Sequence, residues 1–515
     1  MAMTRNNQQG VALVITLFLM ASLSALAVSL MFLSQTETSA SRNYKTMSQA
    51  RYAGEAGVHR AMNYLMSTAY TNTLTSTSFG NFNAATNPVQ YSGNPVVLSS
   101  TLADSNYPDS AVKTAFRDAF GASGLGTLAT GTGTVNYGAT ARLISMVQVN
   151  NVYGATGPRY IQTWQITATG SVPVAGAPAA TVEVSATLER DVADANTFAV
   201  FATGLGCGAI DLQGNVQTAS YDSSGATGTG VADSGGNVGT NGNMTIGGHV
   251  DVHGSLSSPR TGIGTCTEGA NMTALTQSGA ATVDGNNLVQ LPQAMNFDTP
   301  DPPSPMPPQG TMNAAAAGIC TQIASAQSAL TMPPATCGVS GTGSNTTVTI
   351  DPMGRTIKLG DITGNFVLKG GTYNVNSVGS GNLSVLPSGA IVNPVSNVVL
   401  NIAGKCTTCT GGNLATVFDL TGNAIVNASM DPARLQIVYG GSGAIEMTGG
   451  SQGAFMIYAP NAAVTTHGNS DIWGSVLARQ VTSAGTPRFI YDRNLQSKFF
   501  TMGNWVMSSF SWKKY

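Results

Sequence analysis

The sequence has little charge and lacks two common catalytic motifs. Charged residues make up 9% of the 515 residues, and the formal net charge is −2. Nucleic-acid binding needs a surplus of cations to neutralise phosphates, so this class of partner is not expected. No phosphate-binding loop and no His-Glu-x-x-His helix motif occurs in the chain. We therefore expect a non-enzymatic protein without a cofactor.

The chain has a single long apolar run, which lies near the N-terminus. Residues 11–33, directly after Gly10, contain no charge, proline or glycine. A helix of this length spans a bilayer core of ~30 Å at ~1.5 Å per residue. Two alternatives stay open: a secretory signal cleaved near Ala25–Ala27, and an ordinary membrane anchor. Residues 1–10 are interpreted as a leader.

Small and apolar residues continue at helical spacing beyond the apolar run. The positions are Met47, Ala50, Gly54, Val58, Ala61 and Leu65. We expect one gently curved helix from Val11 to about Leu65, within a membrane-spanning and amphipathic segment assigned to residues 11–68. Its outer half should pack on the strands that follow.

Alternating apolar and polar residues predict a small antiparallel β domain over residues 69–200. Tyr160–Ala168 and Thr181–Glu189 have the period of two that half-buried strands show. The Gly- and Pro-containing segment from Gly170 to Pro178 is predicted as the turn between them. A short helix is expected around Ala111 to Phe120.

A repeat of six residues dominates the next part of the chain. Gly-x-apolar triplets start at Gly236, Gly242, Gly248 and Gly254, and others recur downstream, including Gly389 and Gly422. Such spacing is typical of a parallel β-helix or β-solenoid, whose coils share one core. Val238, Met244, Val250 and Leu256 should point into it. The predicted domain covers residues 201–492.

Proline interrupts the repeat between Asp298 and Pro308. Proline cannot donate ladder hydrogen bonds, so this stretch should be extended. Met312 to Leu330 then reads as one Ala-rich helix. We interpret residues 292–345 as an insertion over an end or flank of the solenoid, and residues 493–515 as a C-terminal tail. The fold class is α+β, mainly β.

Several short segments resemble PilX-type minor pilins and their larger relatives. The N-terminal signature is similar at Gln8–Gly10, Val11–Ile15 and Ala53–Gly57. Weaker similarities lie at Ile166–Gly170, Tyr458–Ala462, Gly468–Gly474, Tyr491-Asp492 and Ser511-Trp512. The resemblance implies processing between Gly10 and Val11 and a structural role in type IV pilus biogenesis.

The resemblance also implies location and partners. The chain would sit in the bacterial inner membrane and then in the pilus or at the cell surface, with its bulk periplasmic or extracellular. Its partners would be other pilins, minor pilins and a tip adhesin. Major pilins have an acid where this chain has Ile15, which favours a tip or initiating subunit. A pilus-independent surface adhesin or scaffold, and an exported β-helix enzyme acting on carbohydrate, are the alternatives.

Few side chains suggest other chemistry. His249, Asp251 and His253 alternate on one predicted strand and, with His467, form a candidate metal site. The acids Asp361, Asp419, Asp431, Glu446 and Asp471 are scattered singly, whereas glycan cleavage needs a clustered pair. The six cysteines, Cys207, Cys266, Cys320, Cys337, Cys406 and Cys409, allow three disulfides in fifteen pairings. For Cys406 and Cys409 we expect a small disulfide loop.

Overall fold

The computed structural model describes most of the chain. The described residues are 8–71, 73–130, 133–149, 152, 158–174, 177–224, 230–327, 335–387, 397–421, 425–448, 452–469, 471–496 and 498–514. They form two compact units. Unit 1 holds residues up to 147, 160–190 and those from 505 onward; unit 2 holds 148–159 and 191–504.

Unit 1 is built on one long helix and an antiparallel sheet. The helices are α1 (Gln8–Met66), α2 (Thr68–Thr71), α3 (Ser76–Phe79) and α4 (Ser110–Ala119). The first strands are β1 (Gln90–Tyr91), β2 (Asn94–Pro95), β3 (Val97–Ser99), β4 (Gly126–Thr130), β5 (Gly133–Val149), β6 (Arg159–Val174) and β7 (Ala177–Asp194). The predicted unbroken helix and the short helix α4 are thus confirmed.

The predicted hairpin is present, but its glycine-rich segment is mostly strand. β6 and β7 pair antiparallel, with Trp164 opposite Leu188 and Gly170 opposite Val182. The predicted turn at Gly170 to Pro178 is wrong at both ends, because β6 runs to Val174 and β7 begins at Ala177. Gly170 serves helix packing instead of turning, as described below.

Unit 2 is a solenoid-like parallel sheet. Its first part consists of β8 (Val200–Ala202), β9 (Ile210–Gly214), β10 (Gln217–Tyr221), β11 (Val238–Thr240), β12 (Met244–Gly248), β13 (Asp251–Val252), β14 (Leu256–Ser258), β15 (Leu275–Gln277), β16 (Thr282–Val283) and β17 (Leu288–Gln290). Three strands make one coil, and the corresponding strands of successive coils pair in parallel. Each six-residue repeat is therefore one side of a coil.

The second part of unit 2 contains longer strands. They are β18 (Thr311–Asn313), β19 (Thr336–Ser340), β20 (Thr347–Asp351), β21 (Thr356–Thr363), β22 (Asn365–Lys369), β23 (Gly371–Val378), β24 (Leu383–Leu386), β25 (Val398–Ile402), β26 (Thr416–Thr421), β27 (Ile425–Val426), β28 (Leu435–Tyr439), β29 (Ala444–Thr448), β30 (Gln452–Gly468), β31 (Asp471–Gly485) and β32 (Arg488–Asp492). All pairings among them are parallel except β19 with β20.

The predicted inward residues of the repeat form part of the core. Val238, Met244, Val250 and Leu256 are all fully buried. Val238 lies in register with Leu256 on the next coil, and Met244 stacks on Ile210 of the preceding coil. The repeat prediction is confirmed. The triplets at Gly389 and Gly422 lie outside the described residues.

The coils do not stack in chain order. β31 pairs with β8 and β9, and β32 pairs with β10. The chain therefore enters the stack at an internal coil and winds to one end at β17. It resumes at the other end with β18 and winds back to the entry point. We call the junction of β31 and β32 with β8–β10 the seam.

The proline-rich segment 291–310, here called the strap, connects β17 to β18 along a flank. The Asn241 side-chain amide exchanges two hydrogen bonds with the Met295 backbone, at 2.7 and 2.8 Å. Further along, Asn374 Nδ2 donates to the Pro305 carbonyl at 2.7 Å. The Gly310 amide donates to Asp361 at 3.0 Å. The strap thus contacts several coils along this flank.

Two predictions about secondary structure are wrong. The helix expected over Met312 to Leu330 is only α5 (Ile319–Ala326), because Met312 is buried in β18 and Gly318 adopts a left-handed conformation that starts the helix. Residues 328–330 lie outside the described chain. The expected tail is largely β33 (Phe500–Lys514), the last strand of the unit 1 sheet, whose order is β3-β5-β6-β7-β33.

Candidate functional site

The N-terminal part of α1 is exposed on all sides. Every residue from 11 to 45 is exposed, including Phe18 at 75% and Ile15 at 56%. The helix is long and apolar enough to cross a membrane, judged by length and composition. An apolar helix surface of this extent requires a lipid or protein environment.

The outer half of α1 packs on the sheet through three glycines. A Cβ at Gly54 would lie 2.7 Å from Val184 Cγ2, and one at Gly57 would lie 2.9 Å from the Ala168 Cβ. A Cβ at Gly170 would overlap the Ala50 carbonyl oxygen. The segment Ala53–Gly57 therefore has a structural role: it lets the helix lie directly on β6 and β7.

Aromatic side chains fill the core beside this contact. Tyr70 is fully buried, and its hydroxyl donates to Gln162 Oε1 at 2.8 Å. Burial raises the pKa of Tyr64 and of Tyr107 to about 12, and it raises the pKa of Tyr70 well above its usual value. The hydroxyls of Tyr64, Tyr70 and Tyr107 are hydrogen-bonded within this core, so the cluster has a structural role.

An open groove of about 510 Å³ lies at the seam of unit 2. Its lining comprises residues 203–209 with Glu268, Asn461 and Arg479. Glu268 accepts a 2.6 Å hydrogen bond from the Cys207 amide, and the Gly204 amide donates to the Arg479 carbonyl at 2.8 Å. Sequence reasoning missed this groove, because nothing local indicates that Glu268 and Arg479 line the same groove as residues 203–209.

Comparison with family models identifies the N-terminal segment. Residues 9–59 match the family described as PilX N-terminal. The chain carries a PilX N-terminal domain. The predicted resemblance to PilX-type minor pilins is confirmed for this N-terminal segment. The glycine contacts of α1 thus lie within, or pack against, the PilX N-terminal domain.

Other comparisons add less. Residues 340–498 match a domain of unknown function, DUF7305, which covers most of the second part of the solenoid. No curated protein matches the chain. One solved structure, the competence-associated pilin ComZ from Thermus thermophilus, is 13% identical over 91% of this chain and 98% of its own. Its TM-score of 0.22 does not establish a shared fold.

All six cysteines are paired. Cys207 bonds to Cys266, Cys320 to Cys337 and Cys406 to Cys409. The first disulfide borders the groove, the second ties α5 to β19, and the third closes the expected small loop. Thiol chemistry and thiolate metal binding are therefore blocked in this state.

The predicted metal site is not assembled. Asp251 accepts a hydrogen bond from Thr282, and His253 lies 3.4 Å from Asp284. His249 precedes β13, directly after the corner formed by Gly248 at φ +83°. The alternation expected for one flat strand is therefore broken at this corner. Across the described ranges, no group of three or more His, Cys, Asp or Glu side chains could hold a metal ion.

The scattered carboxylates serve local structure. Asp361 accepts hydrogen bonds from Asn376 and Ser377 at 2.7 and 2.6 Å. Asp471 binds Arg488 through both oxygens. Asp431 lies between Arg434 and Lys498, at 3.9 and 3.7 Å. Glu446 accepts from Thr416 at 3.3 Å. These contacts stabilise neighbouring coils and turns.

Proposed function

We propose that this protein is a non-enzymatic minor pilin that assembles at the tip, or in the initiating complex, of a type IV pilus. The observation that carries the proposal is the PilX N-terminal domain on a helix that runs unbroken from Gln8 to Met66 and packs on an antiparallel sheet. In sequence, the solenoid lies between β7 and β33, which are neighbouring strands of the unit 1 sheet. It is therefore an insertion between these two strands. It would be displayed for adhesion or partner binding.

Residues 11–33 would cross the inner membrane before assembly and then pack among the helices of other pilins. Their exposed apolar surface supports both environments. The bulk of the chain would be periplasmic and later extracellular, where the three disulfides are stable. Other pilins, minor pilins and a tip adhesin are the proposed partners; nucleic acid is not.

The tip position is supported by the residue at position 15. A free amine inside an apolar helix bundle is costly unless an acid of a neighbouring subunit meets it. Ile15 cannot supply that acid. Repeated stacking of this subunit along the shaft is therefore disfavoured, whereas a terminal position needs no such contact.

A binding role for the solenoid is supported by the groove at the seam. Its lining includes the carboxylate of Glu268, which accepts from the Cys207 amide, and the backbone of residues 203–209. The individual carboxylates of the coils are used in structural contacts, which favours display over glycan cleavage.

Gold-labelled antibody on purified filaments tests the assignment. We expect label at one filament end, with antibody to the major subunit decorating the whole shaft as a control. A strain lacking this protein controls for antibody specificity. Uniform decoration would contradict the tip position, and absence from filaments would favour a pilus-independent adhesin.

A further inference from the structure

A cavity of about 220 Å³ lies between helix α5 and the strands on which it packs. Its wall is mostly apolar and includes Ile323 of α5, Ile350 of β20 and Ile357 of β21, which are at most 4% exposed. The disulfide between Cys320 and Cys337 also lines it and ties α5 to β19. The cavity is therefore held open by packed and cross-linked elements.

One cation, Arg355, lines this apolar space. Its Nε atom is buried and has no hydrogen-bond partner. Asp351, the acid nearest to it in sequence, pairs with Lys369 at 3.4 Å. Within the described ranges, Arg355 forms no ion pair. Because a guanidinium keeps its charge at any accessible pH, a partner of opposite charge would stabilise it at this wall.

The other polar side chains of the lining are Gln327 and Thr336. The Gln327 amide donates to the carbonyls of Ile323 and Lys358, both at 2.8 Å, and accepts from the Lys358 amide at 2.9 Å. Gln327 is thus used to hold α5 on β21, and Thr336 is exposed. A ligand of this cavity must therefore be largely apolar and carry one anionic group that meets Arg355.

We propose that the cavity binds a small organic carboxylate whose apolar body is about the size of a benzene ring. An apolar cavity of about 150 Å³ holds benzene, so the volume here leaves room for a carboxylate beside the ring. The ring packs against Ile323 and Ile357. The carboxylate accepts hydrogen bonds from the terminal nitrogens of Arg355, because Nε is covered by protein. This site goes beyond the pilin assignment, since it needs neither filament incorporation nor the groove at the seam.

Fluorine NMR of the full chain in detergent micelles tests the proposal. The probe is para-fluorobenzoate, titrated to about 10 mM so that a Kd of about 1 mM is detected. The matched probe is para-fluorobenzamide, which has the same ring and no charge, and protein-free micelles give the background for both. We expect saturable line broadening of the benzoate. The benzamide should bind roughly tenfold more weakly, because it lacks the charged hydrogen bonds.

Two arginine variants test the role of the charge. Arg355→Met keeps a long apolar side chain and should weaken benzoate binding by roughly tenfold or more, with benzamide binding changed by less than about twofold. Arg142→Met removes the same charge from an exposed position in unit 1 and should leave both affinities unchanged. Near-ultraviolet circular dichroism checks that both variants fold.

Hydrogen–deuterium exchange locates the bound probe. Saturating para-fluorobenzoate should slow exchange of the α5 amides, because a ligand that binds only the closed state lowers the population of local openings. The amides of α4 in unit 1 should exchange at the same rate with and without the probe.

Four results would overturn the proposal. They are no saturable benzoate binding above the micelle background, equal affinities for the two probes, unchanged binding by Arg355→Met, and unchanged exchange of α5. Loss of binding in Arg142→Met would show attraction to net charge and would also overturn it. If Arg355→Met does not fold, the two probes and the exchange of α5 still decide. None of these results bears on filament labelling, so this proposal and the pilin assignment fail separately.

Discussion

Replacing Gly214 with alanine tests the account of the seam. Gly214 has φ +100° and stacks in register between Gly485 and Gly248, both also at positive φ. The column continues to Gly468 on one side and to Gly279 on the other. It therefore crosses from the last coil of the chain to the first.

The cost of Gly214→Ala has two parts. An alanine in a left-handed conformation costs about 1–2 kcal/mol. Its Cβ would also lie 2.6 Å from the Gly485 carbonyl oxygen, and relieving such overpacking costs about 1–3 kcal/mol. The expected total is about 2–5 kcal/mol in the free energy of unfolding of unit 2.

Gly262→Ala is the matched control. Gly262 has φ +81°, but no atom lies within 4 Å of its added Cβ. Only the conformational cost of about 1–2 kcal/mol should appear. Urea unfolding of the full chain in micelles, followed by near-ultraviolet circular dichroism, measures both variants. Equal destabilisation by the two alanines would refute the stacked seam.

Three further predictions concern the core and the disulfides. Val250→Asp buries an unpaired charge and should unfold the solenoid, whereas Val289→Asp, at a site 42% exposed, should keep the wild-type melting profile. Replacing Cys207 and Cys266 together by serine opens a loop of sequence separation 59 and should cost about 4 kcal/mol; replacing Cys406 and Cys409, separation 3, should cost about 2 kcal/mol in the same denaturation assay. Burial raises the pKa of Tyr107 to about 12 in the folded state, so the folded state holds its proton while an unfolded tyrosine loses it near pH 10. Its contribution to stability is present below pH 10 and is lost as the pH rises towards 12, which parallel tyrosinate absorbance and circular dichroism titrations would show.

Local periodicity accounts for what could be predicted from the sequence. The continuous helix α1, the β6–β7 hairpin and the inward residues Val238 and Met244 follow from patterns within a few residues of each other. The repeat also indicates that the coils stack in parallel, because each six-residue unit forms one side of a coil and contributes one Gly-x-apolar triplet.

Long-range strand pairing accounts for the features that could not be predicted from the sequence. Val200 stacks between Val476 and Val238, and only Val238 belongs to a nearby repeat. Similarly, β33 pairs with β7 although the whole solenoid separates the two strands in sequence. The residue pattern of β33 alone therefore does not indicate its partner. The role of glycine was also ambiguous in the sequence. Gly170 suggested a turn, but in the structure its lack of a side chain lets α1 pack closely against β6.

The candidate site was predictable only where a motif is contiguous. The PilX N-terminal segment is continuous over 9–59 and was predicted. The groove at the seam joins residues far apart in sequence and was missed. The metal site was wrong because Gly248 turns the chain beside His249.

The mature N-terminus is the most direct test of the central claim that this chain is a processed pilin subunit. Mass spectrometry of the protein isolated from cells that produce it measures this end. The account predicts a chain that begins at Val11, directly after Gly10. An intact Met1, or a chain that begins after Ala27, would contradict it.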